Sequence, residues 1–215
     1  MSLEKIRRHL REDGLYLLGR RLLGHSLSAA HSALIARRLG VRQLKLGPRA
    51  YLRGLSCIRM GEDFAAGEGL WLEAITRFND QEFSPRIVIG NHVRISHGVH
   101  IAATHLVEIG DHVLMGSRVL VIDHNHGKYS VEHTPPSLPP TLRPLDNDKK
   151  TVIGARVWLG DGVVVMPGAC IGEGSVIGAN SVVRGTIPPL SIAAGAPAKV
   201  LKIFDTQTQR WIGAK

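Results

Sequence analysis

From Ile153 onward an aliphatic residue recurs every six positions: Ile153, Leu159, Val165, Ile171, Ile177 and Val183. Gly follows several of them. A small or β-branched residue stands four places on, at Val157, Val163, Ala169, Ser175 and Ser181. A helix repeats near 3.6 residues and a strand at 2, so neither explains a period of six. Short strand-plus-turn units do, three to a coil, with the aliphatic side chains stacked inside a triangular prism. The same spacing runs through Ile89, Ile95 and Ile101. It resumes after an eight-residue step at Ile109, Met115 and Val121, and a fainter copy passes through Leu46, Leu52, Met60, Ala66 and Leu72. The pattern predicts an all-β parallel β-helix over residues 46–190, with Ile153, Leu159, Ile171 and Ile177 buried.

Two stretches break the rhythm. Residues 76–85, "TRFNDQEFSP", read as a loop or bulge between coils. Residues 122–152 form a longer interruption, rich in Pro, His and charge, that opens on "DHNHG" at 123–127. Structureless loops of this length inside a compact domain are uncommon and are usually functional or disordered. Residues 1–45 read as a helical arm, with Leu15, Leu18 and Leu22 on one face and Leu23, Leu27, Ala30 and Leu34 on another. Gly14, Gly19 and Gly24 weaken that helix. Residues 191–215 read as a strand followed by a short helix.

Charge sharpens the picture of the arm. Of the formal +9, residues 1–45 carry ten Lys/Arg against three Asp/Glu, a surplus of seven. A basic arm of this kind suits an anionic membrane, glycan or nucleic acid, or is a solvated helix face. No aromatic-basic platform or known motif supports nucleic acid, so no nucleic-acid partner is expected. No apolar run reaches the roughly 18 residues of a membrane span. Cys57 and Cys170 have no metal-like spacing and suggest a reducing compartment. The chain is expected to be cytoplasmic, with peripheral contact at the inner membrane face through the arm as a further expectation.

The hexads, the "DHNHG" loop and the endings "IGARVWLGDGVVVMPGACIGEGSVIGANSVV" (153–183) and "IPPLSIAAGAPAKVLK" (187–202) resemble the bacterial hexapeptide-repeat acyltransferases. They are most like the O-acetyltransferases of polysaccharide and lipopolysaccharide biosynthesis. The resemblance covers roughly residues 87–202. It implies a left-handed parallel β-helix, a homotrimer with active clefts between protomers, and acetyl transfer from acetyl-CoA to a sugar hydroxyl. The acceptor would be a glycan, a sugar nucleotide or a lipid-linked precursor, and no metal is expected.

A sugar hydroxyl is a poor nucleophile until a base takes its proton, and imidazole titrates in the right range to do so. The resemblance makes His124 that base, although composition alone does not separate it from His126. It places Ser96 and Thr104 near the acceptor, where they replace the Asn and Asp of related enzymes. Asp123 and Asn125 either orient the ring or the acceptor or only close an Asx turn, and His126 is the other imidazole of the loop at the acceptor side. It places Trp158, Gly160, Gly178, Ala179, Arg184, Lys199 and Lys202 along the coenzyme. Asp161 stands where a serine is common. Two other outcomes share the reaction or the scaffold: an amino-sugar N-acetyltransferase, and a β-helix assembly protein without catalysis. A zinc enzyme on the same prism would need His92, His97 and His100 on one metal.

Overall fold

The computed structural model describes residues 3–129, 133–146 and 148–214. Short parallel strands wind into a prism with three faces. The first face runs Lys45–Leu46, Ala65–Ala66, Arg94–Ile95, Leu114–Met115, Trp158–Leu159, Val176–Ile177 and Ser191–Gly195. The second runs Tyr51–Arg53, Trp71–Ala74, His100–Ala103, Leu120–Ile122, Val164–Val165 and Val182–Val183. The third runs Ile58–Met60, Arg86–Ile89, Leu106–Ile109, Thr151–Ile153, Cys170–Ile171 and Thr186–Ile187.

The six-residue period follows from this winding. One unit supplies one strand and one corner, and register places equivalent residues of successive coils over each other. Leu72 lies on Ile101, Ile101 on Val121, and Val121 on Val165. These side chains are buried, as are Ile153, Leu159, Ile171 and Ile177. Each is worth about 1.5–3 kcal/mol of apolar burial against the open chain. The residues four places on fill the corners, and the serines among them keep their hydroxyls bonded. Ser175 Oγ donates to the Pro188 carbonyl (2.9 Å), and Ser181 Oγ accepts from Gly195 N–H (3.0 Å).

A prism has open ends, and the helix covers one of them. At one end the helix Leu3–Leu39 presents Ser32 and Ile35, both buried. Ser32 Oγ accepts from Leu46 N–H (2.9 Å) and itself donates to the Ser28 carbonyl (2.6 Å). The apolar face read from sequence points elsewhere: Leu27 and Leu34 are 63% and 67% exposed, and Ala30 is exposed too. The side-chain placement of Leu15, Leu18, Leu22 and Leu23 lies outside the described residues. Gly14, with φ 76° and ψ 170°, leaves helical geometry and divides the helix. Among the described residues no helix is long and apolar enough to cross a membrane.

At the other end the tail departs from expectation. There is no helix after the strand. Ser191–Gly195, Ala198–Asp205 and Arg210–Gly213 form an antiparallel meander that extends the first face. The cause is local. The Asp205 carboxylate accepts from Gln207 N–H (2.9 Å) and Thr208 Oγ (2.7 Å), which closes a turn where a helix would have continued.

Residues 76–85 are also more ordered than a loop. Arg77–Phe78 and Gln81–Glu82 make a small hairpin.

Candidate active site

The long loop leaves the prism at the corner between the second and third faces. Its exit strand is Leu120–Ile122 and its return strand is Thr151–Ile153. Thr151 Oγ donates to the Ile122 carbonyl (2.8 Å) and so clasps the two stems together. The residues after Ile122 are Asp123 and His124. Ile122 lies over Ala102, so stacking brings Asp123 against Thr104 and His105 of the preceding coil.

Asp123 is wholly buried. One carboxylate oxygen accepts from Thr104 N–H (2.9 Å), Thr104 Oγ (3.2 Å) and His124 Nδ1 (2.9 Å). The other accepts from His105 N–H (2.8 Å). Burial pushes this carboxyl up. The bonds from His124, Thr104 and His105 outweigh burial and hold it below the usual carboxylate value. An ionised carboxylate only accepts, so the His124 proton resides on Nδ1. The neutral ring then keeps its lone pair on Nε2, the form a general base requires. His124 is 9% exposed.

Asn125 and His126 point the loop back along a two-residue antiparallel ladder, Asn125 on Asp146 and His126 on Leu145. The His126 ring, in an exposed residue, meets Phe78 of the small hairpin edge-on, with centroids 5.2 Å apart. The same hairpin clamps the loop. The Gln81 side-chain amide donates to the Leu145 carbonyl (3.2 Å) and accepts from Leu145 N–H (2.6 Å). Asn79 donates to the Thr141 carbonyl (3.0 Å). Within the loop, Arg143 donates to Tyr129 Oη (2.9 Å), which donates to the His126 carbonyl (2.6 Å).

The residues assigned to the acceptor therefore divide. Asp123, His124 and Thr104 form one bonded unit, with Asn125 and His126 next along the chain. Ser96 lies apart at the corner between the first and second faces, its hydroxyl bonded to that of Ser117 (2.9 Å). The residues assigned to the coenzyme divide as well. Trp158, 52% exposed, sits on the first face, in one row with Val176, Ile192 and Lys202. Three strand spacings separate Trp158 from Lys202, about 14 Å. Lys199 pairs with Ala194 in the same sheet.

Gly160, Gly178 and Ala179 lie at the edge of that face, where coil stacking already accounts for the glycines. A Cβ on Gly160 would come within 2.7 Å of Ala179 N, and one on Gly178 within 2.9 Å of Ala194 Cβ. Arg184 follows Val183 on the second face and so belongs to the corner of the loop, not to the Trp158 strip.

Two neighbours of the site, Glu73 and Trp71, carry no sequence signal. On the outer side of the second face, Glu73 is buried between Arg53 Nη1 (3.0 Å) and Trp71 Nε1 (2.9 Å). Trp71 stacks on His100 at 4.6 Å. Burial lowers the His100 pKa, and its Nε2 is buried without a partner. The three histidines of the zinc alternative make separate contacts. His92 faces Asp63 and stacks on His112, His97 accepts from Glu68 N–H, and His100 packs under Trp71.

Comparison with known proteins gives a consistent set. The family profile described as bacterial transferase hexapeptide (six repeats) matches residues 150–185. The chain is 43% identical over 163 residues to WbbJ of Escherichia coli, named as an O-acetyl transferase of lipopolysaccharide biosynthesis. That match covers 75% of this chain and 79% of WbbJ. It is 34% identical over 147 residues to the galactoside O-acetyltransferase of Escherichia coli, covering 67% of this chain and 66% of that one. Among solved structures it is similar to the hexapeptide-repeat acetyltransferase VCA0836 of Vibrio cholerae in complex with acetyl coenzyme A. There the TM-score is 0.53 at 25% identity, over 82% of this chain and 78% of the other. The N-acyltransferase AntD of Bacillus cereus shares the fold, with a TM-score of 0.63 at 18% identity, over 78% of this chain and 84% of that one.

Proposed function

The chain belongs to the bacterial hexapeptide-repeat transferases, and from that membership we propose that it acetylates a sugar hydroxyl of a surface polysaccharide or its precursor. It is an acetyltransferase that uses acetyl-CoA, built on a left-handed parallel β-helix. The observation that carries the mechanism is the Asp123–His124 pair, in which a buried carboxylate holds Nδ1 at 2.9 Å.

His124 Nε2 takes the proton of the acceptor hydroxyl as its oxygen attacks the thioester carbonyl carbon. The imidazolium so formed is stabilised by the Asp123 carboxylate. Collapse of the tetrahedral adduct breaks the carbon–sulfur bond, and the proton on His124 passes to the departing thiolate. The products are an O-acetyl ester and free coenzyme A. The thioester is already activated, so the chain need only position its two substrates and move one proton.

The placement of the parts supports a homotrimer. His124 leaves the corner between the second and third faces, and Trp158 with Lys202 occupies the first face. In a triangular prism that corner lies opposite that face. One chain cannot bring both to a single coenzyme, whereas the corner of one protomer and the first face of its neighbour can enclose a cleft. Trp158, Lys199 and Lys202 would then hold the coenzyme that the neighbour's His124 serves. The basic arm would set the enzyme against an anionic membrane surface where lipid-linked acceptors reside.

The test is a thiol-release screen of the purified protein with acetyl-CoA against sugar nucleotides and glycan fragments. Acceptor-dependent release with an alkali-labile acetyl product is expected. Release with amino sugars alone, giving alkali-stable amides, would refute O-transfer.

A further inference from the structure

The outer side of the second face carries aromatic rings in one row. Register places Tyr51 beside Trp71, and Trp71 beside His100. Trp71 meets Tyr51 edge-on at 5.5 Å and stacks on His100 at 4.6 Å. Tyr51 and Trp71 are still 48% and 46% exposed. Two large rings therefore stand open to solvent on neighbouring strands of a rigid prism.

Trp71 is held still where it stands. Its Nε1–H donates to Glu73 Oε2 (2.9 Å), and Arg53 Nη1 donates to the other carboxylate oxygen (3.0 Å). His100 supports the indole from the next coil. Burial lowers the His100 pKa, the Glu73 carboxylate opposes that shift and His124 adds to it, so the supporting ring is neutral at neutral pH. An exposed tryptophan without such partners would turn about its two side-chain torsions. Fixing it in advance removes that ordering cost from a binding step.

The chemistry of this surface suits one kind of ligand. An indole face is apolar and electron-rich. The C–H face of a pyranose ring is apolar and electron-poor, and its hydroxyls lie around the rim. A sugar stacked on Trp71 would turn those hydroxyls toward the Arg53–Glu73 pair, in which the Arg53 side chain is 56% exposed. A lipid or a protein face would strip water from that pair at a cost, whereas sugar hydroxyls replace the water.

The row leads to the candidate active corner. The strand His100–Ala103 runs on to Thr104, whose N–H and hydroxyl bind Asp123. Four residues of strand from His100 to Thr104 span about 13 Å, or about two to three pyranose rings. The sugar on Trp71 is therefore not the one that His124 would deprotonate, and only a chain of sugars reaches both.

We propose that Tyr51 and Trp71 form a stacking subsite for a neighbouring sugar of the acceptor, with Glu73 and Arg53 as the residues that position Trp71. The acceptor would then be an oligosaccharide and not a single sugar. The proposal rests on transfer to a sugar as assigned above, but its binding test does not.

The experiment uses the full chain and a printed array of bacterial surface oligosaccharides, graded from single sugars to tetrasaccharides and read for binding without acetyl-CoA. Those that bind then enter the thiol-release assay. Wild type should bind the longer fragments at least about tenfold more tightly than single sugars, the scale of one aromatic stacking contact. Trp71→Ala should remove that preference, and Trp71→Phe should keep most of it. Glu73→Ala frees the indole and should weaken the preference, whereas Glu73→Gln keeps an acceptor for Nε1–H and should restore it. In thiol release, the ratio of kcat/KM between a trisaccharide and a single sugar should collapse toward unity in Trp71→Ala, through KM.

Absence of binding or length-independent binding by wild type, or an undiminished preference in Trp71→Ala, overturns the subsite. A change of oligomeric mass in Trp71→Ala also overturns it, since the ring then belongs to a contact between protomers. Transfer to single sugars as efficient as transfer to oligosaccharides sinks the subsite while acetyl transfer stands. Trp71-dependent oligosaccharide binding without thiol release from any acceptor supports the subsite and sinks the reaction.

Discussion

Asp123→Ala removes the acceptor of four hydrogen bonds from a wholly buried position. Water cannot readily replace it. The Thr104 and His105 N–H groups lose their partner, and each such loss costs about 1–3 kcal/mol, or about 2–6 kcal/mol for the pair. In a chain of 215 residues each kcal/mol moves Tm by about 2–4 °C, so a fall of about 10 °C is expected at matched protein concentration. Asp123→Asn is the finer probe. It keeps one acceptor oxygen and sets an NH₂ group against either His105 N–H or His124 Nδ1. It should cost about 1.5–3 kcal/mol, the range for hydrogen bonds to a charged group.

Turnover should fall further than stability explains. Without the carboxylate nothing fixes the proton on Nδ1 or stabilises the imidazolium. The loss should approach the factor of about 10²–10⁴ that a general base supplies. Stability should also gain a pH signature. The Asp123 pKa is lowered in the folded chain, so its contribution is full above the unfolded carboxylate pKa of about 3.9 and disappears as pH falls through the lower folded value. The gap between wild type and Asp123→Asn should therefore close in acid. Thermal melts and thiol release decide the matter. An Asp123→Ala protein that melts within 2 °C of wild type (against the drop of about 10 °C) and turns over within about twofold would refute the reasoning.

Three further outcomes are expected. Trp158→Ala, or Lys199→Glu with Lys202→Glu, should raise the Kd for acetyl-CoA by about tenfold or more, one lost ionic or aromatic contact being worth roughly 1.4 kcal/mol, and calorimetry will read it. Gln81→Ala cuts both bonds between the small hairpin and Leu145; turnover should drop several-fold with coenzyme Kd unchanged, and an unaltered kcat would show that the clamp does not position the loop. Full-length protein should float with anionic vesicles more than a form lacking residues 1–39, and equal flotation would remove the membrane role of the arm.

The prism was readable because its interior imposes one rule on every coil. Leu159 and Ile177 must meet inside the same column, so the spacing between them is a multiple of six, and a single sequence displays it. The candidate active corner was readable only where the rule fails, at "DHNHG". What folds across long separations was not. Gln81 and Leu145 are 64 residues apart, and no local pattern links them. Lys149 and Arg184 line one cleft only because coils stack. The helix shows the opposite ambiguity: a 3.6 period marks Leu27 and Leu34 as an apolar face, yet Ser32 and Ile35 dock, because the Ser32 hydroxyl satisfies Leu46 N–H at the end of the prism. In the tail, a single Asp205 turn decides between helix and strand.

In the proposed mechanism the prism is scaffold and His124 is the base it presents to a neighbouring protomer. Steady-state thiol release from acetyl-CoA, measured with the acceptor found in the screen for wild type, His124→Ala and His126→Ala, tests it most directly. His124→Ala should lose about 10²–10⁴ in kcat, with acetyl-CoA affinity and trimer mass unchanged, and His126→Ala should lose much less. Near-normal turnover in His124→Ala beside an inactive His126→Ala would move the base two residues along the loop, and full activity in both would contradict the account.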